Sequence, residues 1–268
     1  MGLTVILNIV LMALLIYVGV CIVYYFIQEK FVFVPVHADN FSKRKLSVPY
    51  EEILLDVPND GQIHGMLLKT SNPEGVVFYL HGNTGNIKRW RYKAEDICKL
   101  GFDVFVLDYR GYGESRGKRS EAIMHRDVEY CYDSILSRYT IPKIIYGRSL
   151  GCAFATRLAS RREADKVVLE TPFNNMLEIG RYYLPFLPIK FLLRYRFRSD
   201  IYIKQIKCPI HIFHGTNDII VPYASAQKLF NNAKLNNGQV SFTTIKRGNH
   251  SNLKKFKLFR TRLAEFLY

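Results

Sequence analysis

The stretch Ile144-Ile145-Tyr146-Gly147-Arg148-Ser149-Leu150-Gly151 restricts the fold more than any other part of this chain. An apolar run with the character of a buried strand meets Gly-Arg-Ser-Leu-Gly, and residues 152–161 take up helical spacing at once. Joining a strand to a helix over so few residues demands a sharp turn. Such a turn holds its serine in a strained backbone conformation, with Oγ pushed out at the carboxyl edge of a sheet. Gly147 and Gly151 flank the serine because a β-carbon at either place would block the approach of strand to helix. A chance pentapeptide in an ordinary turn would lack both flanking elements. A serine so presented is useful only if the rest of the chain supplies a histidine, an acid and an oxyanion hole.

Taken in order, the chain alternates strands and helices. Residues 53–57 and 63–69 predict two strands around a turn at Asn59-Asp60-Gly61. Residues 76–80 form an apolar run that ends in His81-Gly82-Asn83-Thr84-Gly85-Asn86. Helical spacing follows to Leu100 and is closed by Gly101. Further strands are expected at 103–107, 166–169, 209–213 and 240–245, with helices at 120–138, 224–235 and up to Tyr268. Apolar strands alternating with helices imply an α/β fold, with a mostly parallel sheet covered on both faces.

Residues 1–27 carry no charged side chain and are dominated by Leu, Ile and Val. About 20 such residues cross the hydrocarbon core of a bilayer, so a single transmembrane helix is expected. Tyr17, Tyr24 and Tyr25 suit an interface. A removable signal peptide would want a positive start, a shorter apolar run and a small-x-small cleavage site, and none is evident. The organisation predicted is an anchor at 1–28, a linker at 29–50 and one catalytic domain at 51–268, with a helical cap at about 171–207. No Lys or Arg precedes the span, whereas Lys30, Lys43, Arg44 and Lys45 follow it, which places the domain in the cytoplasm. The tripeptide Asn40-Phe41-Ser42 is a glycosylation sequon and would point the other way.

With 38 Lys and Arg against 23 Asp and Glu, the net charge of +15 favours an anionic surface. Zinc-finger spacing, RNP-like aromatics and a basic helix leading into heptads are all missing, so a membrane face is preferred to nucleic acid. Five cysteines without a C-x-x-C argue against a disulfide framework. His211 and His214 fall on opposite faces of a strand and make a poor metal site. No metal and no cofactor are expected, and oligomeric state is unspecified.

The acid expected is Asp218, in His214-Gly215-Thr216-Asn217-Asp218 just past a strand end; Glu170 is a weaker rival. The histidine expected is His250, in the loop before the last helix. The chain order Ser149, Asp218, His250 is that of α/β-hydrolases. For the oxyanion hole, the backbone N–H groups of Leu150 and Asn83 are the predicted pair. His81 is expected to bond loop backbone, and no Walker A pattern turns these glycine-rich loops into phosphate cradles. Within the cap, Tyr182, Tyr183, Leu184, Phe186, Leu187, Phe191 and Leu192 could line an acyl pocket or rest on the membrane, with Tyr182, Phe186 and Phe191 the foremost candidates. Arg194, Arg196 and Arg198 suit lipid phosphates or a solvated edge.

His81-Gly82-Asn83-Thr84-Gly85-Asn86, Asp108-Tyr109-Arg110-Gly111-Tyr112-Gly113-Glu114-Ser115, Gly147-Arg148-Ser149-Leu150-Gly151, His214-Gly215-Thr216-Asn217-Asp218 with Val221-Pro222, and Gly248-Asn249-His250 together resemble the BEM46/ABHD13-like branch of the α/β-hydrolase superfamily. The likeness runs over about residues 53–268. It implies the α/β-hydrolase fold, a serine hydrolase and, in many members, an N-terminal membrane anchor. The N-terminal cysteine cluster of the related depalmitoylating members is absent. The function expected is cleavage of an ester or thioester of an acyl or lipid-like substrate through an acyl-enzyme. The alternatives are a noncatalytic hydrolase-fold binding protein at the membrane and a serine peptidase.

Overall fold

The apolar runs pair into one eight-stranded sheet in the computed structural model, which describes residues 2–36 and 45–268. The strands are β2 (Tyr50–Val57), β3 (Gly61–Leu68), β4 (Gly75–Leu80), β6 (Phe102–Leu107), β7 (Lys143–Arg148), β8 (Lys166–Glu170), β9 (Ile210–Gly215) and β10 (Val240–Ile245). Their order is β10-β9-β8-β7-β4-β6-β3-β2. Only β3 runs against its neighbours, pairing antiparallel with both β2 and β6. The other pairings are parallel, which needs crossover helices and buries both faces. This is the mostly parallel α/β-hydrolase architecture.

Alternation along the central strands divides the core. Val76, Phe78 and Leu80 of β4 pack with α4 (Glu121–Leu136), α5 (Leu150–Ala159) and α9 (Tyr223–Lys234). Val77 and Tyr79 pack with α3 (Ile87–Cys98) and α10 (Lys257–Leu267) on the other face. Between β8 and β9 the chain forms three short helices, α6 (Met176–Tyr183), α7 (Ile189–Leu192) and α8 (Ser199–Tyr202).

The N-terminal helix α1 (Gly2–Ile27) buries no residue and is about 39 Å long at 1.5 Å per residue, enough to cross a bilayer. The segment leaving this helix is more than a tether. After a single turn, α2 (Glu29–Val32), Phe33 is only 2% exposed and sits edge-on against Tyr195 and Tyr112. The two-residue strand β1 (Val34–Pro35) then pairs with β5 (Thr84–Gly85), in the loop after β4. Lys43, Arg44 and the Asn40-Phe41-Ser42 tripeptide lie outside the described residues.

Candidate active site

Ser149 stands between β7 and α5 with φ 51° and ψ −116°, a left-handed conformation that a non-glycine residue holds only where its surroundings enforce it. Both flanking glycines are required by contact. A Cβ on Gly151 would lie 1.9 Å from the Leu80 carbonyl oxygen, and one on Gly147 would lie 2.7 Å from Cys152 Cα. The serine is thus pressed out at the carboxyl ends of the central strands, where open α/β sheets place ligands.

Asp218 lies three residues past β9 and His250 five residues past β10. The two loops meet over the elbow: His250 Nδ1 is 2.8 Å from Asp218 Oδ2, and His250 Nε2 is 2.9 Å from Ser149 Oγ. Asp218 Oδ1 accepts from the backbone N–H groups of Ile220 and Val221, each at 2.9 Å. Burial pushes the Asp218 carboxyl up, but the hydrogen bond and charge of His250 and the Val221 N–H outweigh it, so its pKa lies below the ordinary value. An ionised carboxylate can only accept, so Nδ1 carries the hydrogen and Nε2 is left free to receive a proton from Ser149. His214, also against Asp218, is kept neutral by burial, which lowers its pKa.

Glu170 does not reach His250. It closes a buried network behind the elbow, accepting from Arg148 Nε (3.0 Å), Lys93 Nζ (3.2 Å) and Tyr146 Oη (2.8 Å). Burial would raise its pKa, but Lys93 and Arg148 with the Tyr146 hydroxyl bring it down to about 2. The same Arg148 donates to the His250 carbonyl at 2.6 Å and lies over the Trp90 ring. Arg148 therefore links the elbow to the histidine loop, a role its place in the middle of the motif did not announce.

Asn83 and Leu150 line the same cavity as Ser149. The Asn83 carbonyl is held by two donors, the Val34 N–H at 2.9 Å and the Tyr112 hydroxyl at 2.7 Å. Leu150 N–H opens helix α5, whose dipole favours negative charge there. His81 bonds the Gly82 carbonyl at 2.6 Å and packs against Tyr109, away from the serine.

A cavity of about 870 Å³ ends on Ser149. Tyr182, Phe186 and Phe191 do not line it; they are 59%, 87% and 80% exposed. The cap instead contributes Met176, Ile179 and Tyr183 of α6, with Leu184 and Leu187 beyond it, and the opposite wall comes from α1. Among the described residues the lining holds no Asp or Glu. Tyr183 donates its hydroxyl to the Ile219 and Ile220 carbonyls, pinning the cap to the Asp218 loop. Arg194 pairs with Glu29 and Arg198 with Asp200, so these two of the arginines suited to lipid phosphates have protein partners. A second depression of similar size, around residues 139–143 and 159–165, lies at the amino ends of the strands, far from the serine.

Known proteins share this plan. The family model described as "Serine aminopeptidase, S33" matches residues 71–198. The chain is 30% identical over 251 residues to the alpha/beta hydrolase domain-containing protein WAV2 of Arabidopsis thaliana, covering 83% of this chain and 81% of that one. It is 33% identical over 214 residues to a lysophosphatidylserine lipase, ABHD12, of Danio rerio, covering 68% of this chain and 54% of the relative. The chain spans about half the length of the lysophosphatidylserine lipases that it matches. Among solved structures, an esterase of Pyrococcus furiosus superposes with a TM-score of 0.70 at 23% identity, over 87% of this chain and 98% of that one.

Proposed function

The chain belongs to the α/β-hydrolase superfamily, and from that premise we propose that it is a membrane-anchored serine hydrolase that cleaves the acyl ester or thioester of a lipid-like substrate. The observation that carries the proposal is the unbroken relay from Asp218 through His250 to Ser149 at the floor of an apolar cavity. His250 Nε2 takes the Ser149 proton as Oγ bonds to the substrate carbonyl carbon, and Asp218 stabilises the imidazolium that results. The N–H groups of Leu150 and Asn83 receive the developing oxyanion. His250 returns the proton to the leaving oxygen or sulfur as its bond to carbon breaks. Water then attacks the acyl-enzyme carbonyl and gives a proton to His250, which passes it to Ser149 Oγ as the acyl–oxygen bond breaks, releasing the carboxylic acid and the free serine.

A lipid substrate with one acyl chain is supported by the relatives named lysophosphatidylserine lipases and by the apolar lining. An aminopeptidase reading is disfavoured by that lining, since among the described residues no carboxylate stands in it to receive a peptide's terminal ammonium. The domain after α1 is assigned to the cytoplasmic side on flanking charge, which protease protection of sealed vesicles tests.

The decisive experiment is labelling with a fluorescent fluorophosphonate in membranes. Labelling of the wild type that is lost in both Ser149→Ala and His250→Ala supports the assignment. A folded wild type that fails to label favours a noncatalytic binding protein instead.

A further inference from the structure

We propose that α1 is both the anchor and one wall of the acyl site, so that a single lipid acyl chain enters sideways from the bilayer between α1 and the cap; this rests on the hydrolase reading above. The cavity lining includes Ile16, Gly19, Val20, Val23 and Ile27. Their recurrence at i, i+3, i+4, i+7 and i+11 puts them on one face of the helix. That face runs from the interior of the apolar span to its end, and the cavity continues from it to Ser149.

The wall is fixed to the cap at both ends of the stretch. Tyr17 donates its hydroxyl to the Phe186 carbonyl at 2.9 Å. Eleven residues on, the buried Gln28 donates to the Leu192 carbonyl at 2.9 Å and accepts from the Arg194 N–H at 2.8 Å. Any stretch of about 20 residues within the apolar helix Gly2–Ile27 includes Ile16, Gly19 and Val20. Ile16, Gly19 and Val20 therefore stand at acyl-chain depth. The exposed Phe186 is held level with Tyr17, so the cap tip is immersed too, which accounts for the large bare aromatic side chains there. An entrance at that depth faces lipid tails and not water.

The occupant is an acyl chain. If each methylene takes ~30 Å³, a sixteen-carbon chain needs on the order of 500 Å³. The cavity of about 870 Å³ has room for one such chain with its ester group.

Gly19 offers the test, because a Cβ there meets nothing within 4 Å. Gly19→Leu fills the cavity and favours the helix. The full chain is reconstituted in phosphatidylcholine vesicles and assayed on palmitoyl and butyryl monoglycerides. The ratio of palmitoyl to butyryl turnover is expected to fall at least ~10-fold, since each displaced methylene is worth roughly fourfold. Ile16→Ala, which only removes atoms, is expected to move the preferred chain length upward. Leu15→Phe, on the helix but outside the cavity lining, leaves the ratio as in wild type. A wild type that cleaves neither ester refutes the hydrolase reading. An active wild type overturns the inference if its chain-length preference is unmoved by Ile16→Ala, or is shifted as much by Leu15→Phe as by Gly19→Leu.

Discussion

Replacing Glu170 with Gln separates the buried ion network from the proposed catalytic relay. Glu170 is 3% exposed and is held by Arg148, Lys93 and Tyr146, with its pKa at about 2 against an ordinary 4.5. That difference of about 2.5 units corresponds to roughly 3 kcal/mol of stabilisation of the charged form. Gln keeps the shape but leaves two cations facing each other. Breaking a buried pair costs about 3–5 kcal/mol, and Lys93, one-fifth exposed, can relax toward water, so the low end is expected. A loss of about 3 kcal/mol lowers the melting temperature by roughly 6–12 °C in a domain of this size. A carboxylate with a depressed pKa stabilises the fold above its unfolded pKa, and that contribution is lost as pH falls through the folded one. The gap between wild type and Glu170→Gln should be full at neutral pH and close between about 4.5 and about 2. The assay is thermal unfolding of the detergent-purified chain across pH, with fluorophosphonate labelling well below the melting point. Labelling should persist. A folded Glu170→Gln protein that no longer labels would make Glu170 the acid partner of His250, and a gap that survives at low pH would refute the electrostatic account.

Two further substitutions probe the elbow and the oxyanion loop. Ser149→Gly should raise the melting temperature, because glycine holds φ 51° without the strain of about 1–3 kcal/mol, while ester turnover falls by about 10⁴ or more; an unchanged melt would show that the turn is unstrained. Tyr112→Phe removes one of two donors to the Asn83 carbonyl and should lower kcat by about tenfold, with KM and stability nearly unchanged, since losing a whole oxyanion donor costs about 10²–10³. A rise in KM at constant kcat would exclude that role for Tyr112.

Physical pattern explains which parts were legible in the sequence. Buried parallel strands must be apolar throughout and are bounded by Gly or Pro, so 240–245 was located as observed and 166–169 fell one residue short of β8. The grouping of Ser149, Asp218 and His250 could be read because each follows the end of a strand in a sheet whose direction was implied. The α1 side of the cavity wall could not be read. Helix α1 is apolar all round, so no stripe distinguishes Gly19 and Val20 from lipid-facing neighbours. Helix α6 is legible in part: Met176, Ile179 and Tyr183 recur at helical spacing on the face that lines the cavity, with Glu178 and Arg181 off it, whereas Phe186 lies beyond the helix and Phe191 in the single turn of α7, where no periodicity applies. Strands β1 and β5, of two residues each, are too short to show any alternation.

The segment expected to be a linker supplies the last prediction. Phe33 is buried among Tyr112, Tyr195 and Phe197, and the next residue donates its N–H to the Asn83 carbonyl. The chain leaving α1 thus buttresses the loop proposed to receive the oxyanion. If residues 29–36 were only a tether, Phe33→Ala would change neither stability nor reactivity. From its burial, truncation should cost about 3–5 kcal/mol in full-chain unfolding, because an enclosed aromatic leaves a cavity that its ring neighbours cannot fill. It should also slow fluorophosphonate labelling of the protein that remains folded, as Val34 loses the register that aims it at Asn83. Arg119, whose guanidinium lies over the Phe33 ring, would lose that contact as well. Phe33→Leu, which keeps most of the volume, should recover most of both effects. Stability lost without slower labelling would mean that Tyr112 alone holds the Asn83 peptide, and that the junction serves the fold and not the site.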